Sequence, residues 1–249
     1  MERGIHFDDV SFSYPGKAEV LSNVDFTIEP GSFVGITGTN GSGKSTATYL
    51  MNGLIPHTIP GRFTGDVFVD GVNTRNKPVA YFAKHVGMVF QNPDFSLFNL
   101  TVFEEVAFGL TNLRGSSDPS LIAHALSEVG LVGFGGRDPQ SLSFGEKQKV
   151  CLACVLSLDV SYIILDEPTA MLDYKSSIEL YRLLTELNKK GKTIITIEHD
   201  TDFLWSHTSE MVILDHGKVK RMGKTATVLR EDKLLNDLGI KRPNKGRHE

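Results

Sequence analysis

Between Gly38 and Thr46 the chain reads Gly-Thr-Asn-Gly-Ser-Gly-Lys-Ser-Thr, which satisfies every fixed position of the phosphate-loop pattern G-x-x-x-x-G-K-[ST]. The five residues before it, Phe33 to Thr37, read as a short buried strand, and Thr46 to Gly53 reads as the start of a helix. That strand–loop–helix context separates a phosphate-binding loop from a glycine-rich turn that holds nothing. Glycines let the backbone curl so that successive N–H groups converge, which makes an anion cradle at a helix N-terminus. Thr39, Asn40, Gly41, Ser42, Gly43 and Thr46 form the cradle in this reading. Lys44 is placed to reach β- and γ-phosphates, and the Ser45 hydroxyl to complete a Mg²⁺ shell. A ligand-free turn is the plain alternative. Further stations downstream, in the expected order, oppose it.

At 249 residues the chain can bury a sizeable core. A net charge of -4 and a pI near 6.1 give no support for a general nucleic-acid surface. No apolar run approaches the roughly 18 residues that span a bilayer; the most apolar stretch, Val150 to Leu165, is broken by Asp159. Glu2 and Arg3 lead straight into an alternating strand, without the pattern of a secretory signal. The expectation is a cytoplasmic protein whose membrane connection, if any, runs through a partner. Cys151 and Cys154 are the only cysteines. Their C-x-x-C spacing invites a redox or zinc reading, but they sit in a helical apolar run with no second ligand pair nearby. Two core cysteines on one helix face is the preferred reading.

Taken in order, residues 5 to 28 read as an antiparallel pair around Pro15-Gly16, with Ile5, Phe7, Val10 and Val24, Phe26, Ile28 in period two. Tyr14 ends the first strand, where its ring can stack on a base or simply pack. Val86 to Phe90 is a buried strand that delivers Gln91 at its C-terminal end, the edge at which open α/β sheets bind ligands. Gln91 can reach Mg²⁺ or an attacking water there. From Asn92 to Asp138 strand signals stop, and Val102–Leu113 and Leu121–Val129 read as helices. Ser143 and Glu146 have capping-box spacing ahead of a helix expected over 147–158. Tyr162 to Leu165 is a second buried strand, ending in Asp166-Glu167. Carboxylates directly after four apolar residues are costly unless a cation waits, so Asp166 is read as a Mg²⁺ ligand and Glu167 as general base. A structural salt bridge is the alternative. An amphipathic helix is expected over 178–187, then a buried strand from Thr193 to Ile197 with His199 just beyond it. Placed at the edge that carries Lys44, Gln91 and Glu167, His199 is read as a γ-phosphate contact.

These stations together resemble those of ATP-binding cassette ATPases: Tyr14, the loop at 38–46, Gln91, Leu142-Ser143-Phe144-Gly145-Glu146, Asp166-Glu167, Asp173 and His199. The resemblance covers about residues 3 to 223. It implies ATP and Mg²⁺ as cofactors and a mostly parallel α/β core with an antiparallel β-subdomain (1–91 and 139–223). It also implies an inserted helical subdomain (about 92–138), followed here by a tail (224–249). In that family two cassettes meet head to tail, so the resemblance implies a second ATPase subunit, like or unlike, whose nucleotide Ser143 and Gly145 contact. The usual signature is L-S-G-G-Q; Phe144 and Glu146 depart from it. Asn52 to Pro56, Gln91 to Asp94, Leu97 to Val102, Glu105 to Gly109 and the tail from Val228 resemble the ATPases of energy-coupling factor and cobalt-type importers. That likeness implies transmembrane partners and uptake of vitamins or transition-metal ions. Ser96 stands where those ATPases often carry a second glutamine, and the chain stops at Glu249, short of their usual dimerising extension.

The alternative class is a soluble cassette ATPase acting on nucleic acid or ribosomes. Against it, the interval from phosphate loop to signature has no sustained heptads and no cysteine cluster. The basic tail Lys241, Arg242, Lys245 and Arg247 reads as a frayed, solvated end, so no nucleic acid is expected. A clamp with negligible turnover is opposed by Glu167.

Overall fold

In the computed structural model, residues 3–115 and 117–244 are described. Strands β1 (Ile5–Ser13) and β2 (Glu19–Ile28) pair antiparallel, with Ile5 opposite Ile28, Phe7 opposite Phe26 and Val10 opposite Val24. Alternation sends Ile5, Phe7, Val10 and Phe12 to the buried face, and the Phe7 and Phe26 rings stack at 4.3 Å. After β3 (Phe33–Gly38) and α1 (Lys44–Met51), the short α2 (Leu54–His57) leads to β4 (Arg62–Val69), which pairs with the free edge of β1. With β5 (Val72–Asn73) this makes a four-stranded antiparallel sheet in the order β2-β1-β4-β5.

The remaining strands are β6 (Val86–Val89), β7 (Tyr162–Asp166), β8 (Thr193–Ile197), β9 (Glu210–Asp215) and β10 (Lys218–Lys224). Together with β3 they form a six-stranded sheet in the order β10-β9-β3-β8-β7-β6. Only β10 runs antiparallel to its neighbour. Every residue of β3, β7 and β8 is buried, as expected of parallel strands covered on both faces. Because β3, β6, β7 and β8 run parallel, their C-terminal ends share one edge. That edge receives the phosphate loop, Gln91, Asp166-Glu167 and His199.

Helices follow their caps. After α3 (Val79–Phe82), helix α4 (Val102–Arg114) opens with a Thr101–Glu104 capping box and closes on Gly115 at φ 77°. Asp118 caps α5 (Pro119–Glu128), with Pro119 in the first turn. Both close their core on α6 (Phe144–Ser157): Val106, Leu110, Ile122 and Leu126 share one apolar cluster with Val150 and Leu152. That cluster continues into Leu180 and Leu184 of α7 (Tyr174–Lys189). Helices α6 and α7 begin three and four residues earlier than their apolar periodicity indicates. Ser143 and Asp173 start them with side-chain caps, and the polar first turns carry no apolar signal.

The tail differs from expectation. After α8 (Thr201–His207), the helices α9 (Thr225–Val228) and α10 (Asp232–Asp237) place Val228, Leu229 and Leu235 in a cluster with Leu204, Met211 and Ile213. Beyond them, Lys241 Nζ donates to Asp202 Oδ2 at 2.8 Å and Arg242 lies 3.2 Å from Asp232. The chain through Asn244 is therefore packed and ion-paired, not frayed. Lys245 and Arg247 lie outside the described residues. Among the described residues, no helix is long and apolar enough to cross a membrane.

Candidate nucleotide-binding and hydrolysis site

The loop from β3 to α1 depends on its glycines. At Gly38 (φ 146°) a Cβ would lie 1.8 Å from the Leu214 carbonyl oxygen, and at Gly43 (φ 99°) 2.5 Å from Leu21 Cδ2. Only glycine lets the loop run this close to β9 and β2. Thr39 is tied to the far side of the cradle, its hydroxyl donating to Asp215 Oδ1 at 3.0 Å. Ser42 Oγ is buried without a hydrogen-bond partner, so one polar atom of the cradle is left unsatisfied. Asn40 and Gly41 are exposed at the rim. Lys44 is buried, its ammonium donating to the Gly38 and Thr39 carbonyls at 3.1 and 3.0 Å. Burial lowers its pKa, while the charges of Glu167 and Asp166 pull it back up. A cation held inside a ring of backbone groups, beside two carboxylates, is equipped to bind an anion with several charges.

The ends of β6, β7 and β8 complete this edge. Burial raises the pKa of Asp166, whose carboxylate is hydrogen-bonded by the Ser45 side chain. Glu167 adopts φ 46°, in the left-handed region, and donates its amide to the Ile197 carbonyl at 3.0 Å. Its carboxylate is gripped on both oxygens, by Gln91 Nε2 at 2.9 Å and His199 Nε2 at 3.1 Å. A cleft of about 470 Å³ runs alongside, lined by Ser45, Tyr49, Gln91, Phe95 and Asp166 among others. Lys44, Ser45, Gln91, Asp166, Glu167 and His199 are thus brought together. For a hard cation the available donors are the Ser45 hydroxyl, the Asp166 carboxylate and the Gln91 amide oxygen. This set is too sparse for an all-protein cage, and no cluster of three or more His, Cys, Asp or Glu suited to a metal occurs among the described residues. It does fit Mg²⁺, which takes one or two protein carboxylates and fills its shell from phosphates and water.

Tyr14 is half-buried rather than freely exposed. Its hydroxyl shares a 3.1 Å hydrogen bond with Thr46 Oγ1, and its ring meets Phe12 edge-on at 5.0 Å. The signature lies apart from the loop. Ser143 and Gly145 border a separate cavity with Gln148, Leu172 and Ser176, and no phosphate-loop residue lines it. Ser143 N–H and Oγ–H both donate to Glu146 Oε2 at 2.8 Å, while Ser143 Oγ accepts from Glu146 N–H at 3.3 Å. The departure at Glu146 therefore closes a complete capping box.

Two residues escaped the sequence reading. Asp215 anchors Thr39, and Glu198, buried at the end of β8, bonds Thr169 and the His199 amide. A carboxylate after an apolar strand was the signal that marked Asp166, and Glu198 carries it too. The cysteines are free: Cys151 is buried, with its thiol pushed up to about 12, and Cys154 is partly buried.

Fold and site together define a nucleotide-hydrolysing cassette. The ABC transporter family profile matches residues 21–170, and the chain belongs to that family of ATP-binding, ATP-hydrolysing cassettes. A putative ABC transporter ATP-binding protein of Pyrococcus abyssi is 45% identical over 245 residues, spanning 97% of this chain and 88% of the relative. The energy-coupling factor transporter ATP-binding protein EcfA2 of Methanospirillum hungatei is 34% identical over 245 residues, 98% of this chain and 61% of its own. Among solved structures, CbiO1 from Clostridium perfringens, described as part of the ABC transporter complex CbiONQ, superposes with a TM-score of 0.81. It is 27% identical, over 97% of this chain and 96% of its own.

Proposed function

We propose that this chain is the ATP-hydrolysing subunit of an energy-coupling factor type importer of vitamins or transition-metal ions, working head to tail with a second cassette around two ATP molecules. The observation that carries this reading is the Glu167 carboxylate, held between Gln91 and His199 beside the phosphate loop. Lys44 and the loop amides hold the phosphates. Mg²⁺, when bound, neutralises charge on the phosphate oxygens, and Ser45, Asp166 and Gln91 are its protein donors. Glu167 takes the proton of the attacking water, and His199 orients that carboxylate and reaches the γ-phosphate. Tyr14 stacks on the adenine. The separation of signature and phosphate loop supports a shared site, in which Ser143 and Gly145 of one cassette close over the nucleotide of the other.

The membrane link rests on the segment after Gln91. Phe98 and Leu100 are 64% and 82% exposed. Phe98 and Phe108 also line an apolar groove of about 270 Å³ between β6, α4 and α6. Such a groove suits an amphipathic helix of a transmembrane subunit, which would hold the chain peripherally at the cytoplasmic face. The likeness to EcfA2 and CbiO1 favours the importer class. Of the basic tail that the nucleic-acid alternative would use, Lys241 and Arg242 are ion-paired with Asp202 and Asp232, and Lys245 and Arg247 lie outside the described residues. The test is Mg²⁺-dependent ATPase activity of the chain alone and reconstituted with a membrane subunit. Slow turnover alone and acceleration on assembly are expected. Activity without Mg²⁺, or equal rates in both states, would contradict the reading.

A further inference from the structure

Glu198 is a carboxylate with only 4% of its surface exposed, and both of its oxygens are in use. Oε2 accepts from Thr169 Oγ1 at 2.6 Å and from the Tyr181 hydroxyl at 3.4 Å. Oε1 accepts from the His199 N–H at 2.9 Å and the Asp200 N–H at 3.3 Å. Burial raises its pKa, so the sequence bears a cost at this position that an apolar residue would avoid. Thr169 lies two residues after Glu167, and His199 is the next residue after Glu198. One buried side chain therefore fastens the segment leaving Glu167 to the segment carrying His199.

The backbone at Glu167 needs such a fastening. A non-glycine residue at φ 46° persists only where its surroundings hold it. On one side its amide is bonded to Ile197. On the other, the Thr169–Glu198 bond closes the turn through Pro168. We infer that Glu198 is a positioning residue for hydrolysis: acting through Thr169 and the His199 amide, it holds the Glu167 carboxylate and the His199 ring in register. This rests on the reading of Glu167 as base and His199 as its partner.

Steady-state ATPase kinetics and melting temperatures of the full chain test it, with Glu198→Ala, Glu198→Gln and Thr169→Val compared against Glu167→Gln and His199→Ala. A misplacement of about 1 Å costs on the order of 10²-fold in rate, so Glu198→Ala should lower kcat by roughly 10–100-fold. KM for ATP should stay within about threefold, since the phosphate cradle is untouched. Glu198→Gln keeps an acceptor for the two amides and gains a donor toward Thr169 Oγ1, so it should recover most of the rate. Should Glu198→Ala fail to fold, Thr169→Val, which removes a single tie, carries the test with the same direction of effect. If the two control variants lose turnover while Glu198→Ala and Thr169→Val keep wild-type kcat, this inference fails and the Glu167–His199 reading stands. A rise in KM that matches the fall in kcat, or no recovery in Glu198→Gln, also overturns it. Wild-type turnover in Glu167→Gln and His199→Ala removes both.

Discussion

Replacing Phe98 with Ser separates partner docking from folding. Phe98 is 64% exposed and meets Phe108 edge-on at 4.9 Å on the wall of the apolar groove. Full burial of a phenylalanine side chain is worth about 1.5–3 kcal/mol. The exposed two-thirds of this ring therefore leaves roughly 1–2 kcal/mol to be gained on docking. At about 1.4 kcal/mol per tenfold, affinity for the membrane subunit should fall roughly 5–30-fold. The fold loses the edge contact, about 0.5–1.5 kcal/mol, and the burial of the remaining third of the side chain, about 0.5–1 kcal/mol, which lowers the melting temperature by several degrees in a chain of this size without unfolding it. Affinity for the membrane subunit, measured in detergent or nanodiscs, is read beside basal ATPase rate and nucleotide affinity of the chain alone. Phe95, 89% exposed, is a less clean probe because it also borders the cleft beside Ser45 and Asp166. A collapse of melting temperature and nucleotide binding together would show that Phe98 serves the core. Unchanged partner affinity would remove the groove as the docking surface.

Other perturbations address the site piece by piece. Glu146→Ala removes the N3 acceptor of the signature capping box and should cost roughly 0.5–1 kcal/mol in a thermal melt. The Ser143 N–H and hydroxyl hold the Glu146 carboxyl below its ordinary 4.5. Its stabilisation is therefore present above that pH and lost as the pH falls through the lower folded value, so the gap between wild type and variant should close in acid. Tyr14→Ala should weaken ATP binding by roughly 1–3 kcal/mol. Tyr14→Phe should lose only the hydrogen bond to Thr46, worth about 1 kcal/mol of stability, and equal losses of affinity in both would point away from stacking. With the Cys151 thiol pushed up to about 12, about one molecule in 10⁴ carries its thiolate at pH 8. Thiol reagents should then label the cysteines slowly until the chain unfolds, and rapid native labelling would contradict the core reading.

Much of the α/β cassette fold was legible because its signals are local. Parallel strands read as unbroken apolar runs, and Gln91, Asp166 and His199, at or just beyond their C-terminal ends, stand together at one edge of the sheet. Helix starts were less legible. Ser143 and Asp173 begin α6 and α7 through side-chain caps whose first turns are polar, so apolar periodicity places them late. The tail misled for a different reason. Its basic residues look solvated in sequence, but Asp202 and Asp232, which pair with Lys241 and Arg242, are brought to them only by the packing of α8 and α10. Glu198 follows an apolar strand as Asp166 does, but its role is visible only in the fold, because its partners Thr169 and Tyr181 are remote in sequence. Phe98 could be recognised as apolar, but its exposure depends on how the segment after Gln91 packs: Leu97 enters the core shared by α4, α5 and α6, and the neighbouring Phe98 is left outside it.

The central claim, that Glu167 performs hydrolysis in a nucleotide site shared between two cassettes, is tested most directly by one variant in one tube. Glu167→Gln with ATP and Mg²⁺ is followed by light-scattering mass and by phosphate release. Losing a general base costs about 10²–10⁴-fold in rate, while the cradle around Lys44 is left intact. The predicted result is near-silent turnover, retained ATP and a species of about twice the 27.4 kDa chain mass. Wild-type phosphate release from a species that stays monomeric would contradict it.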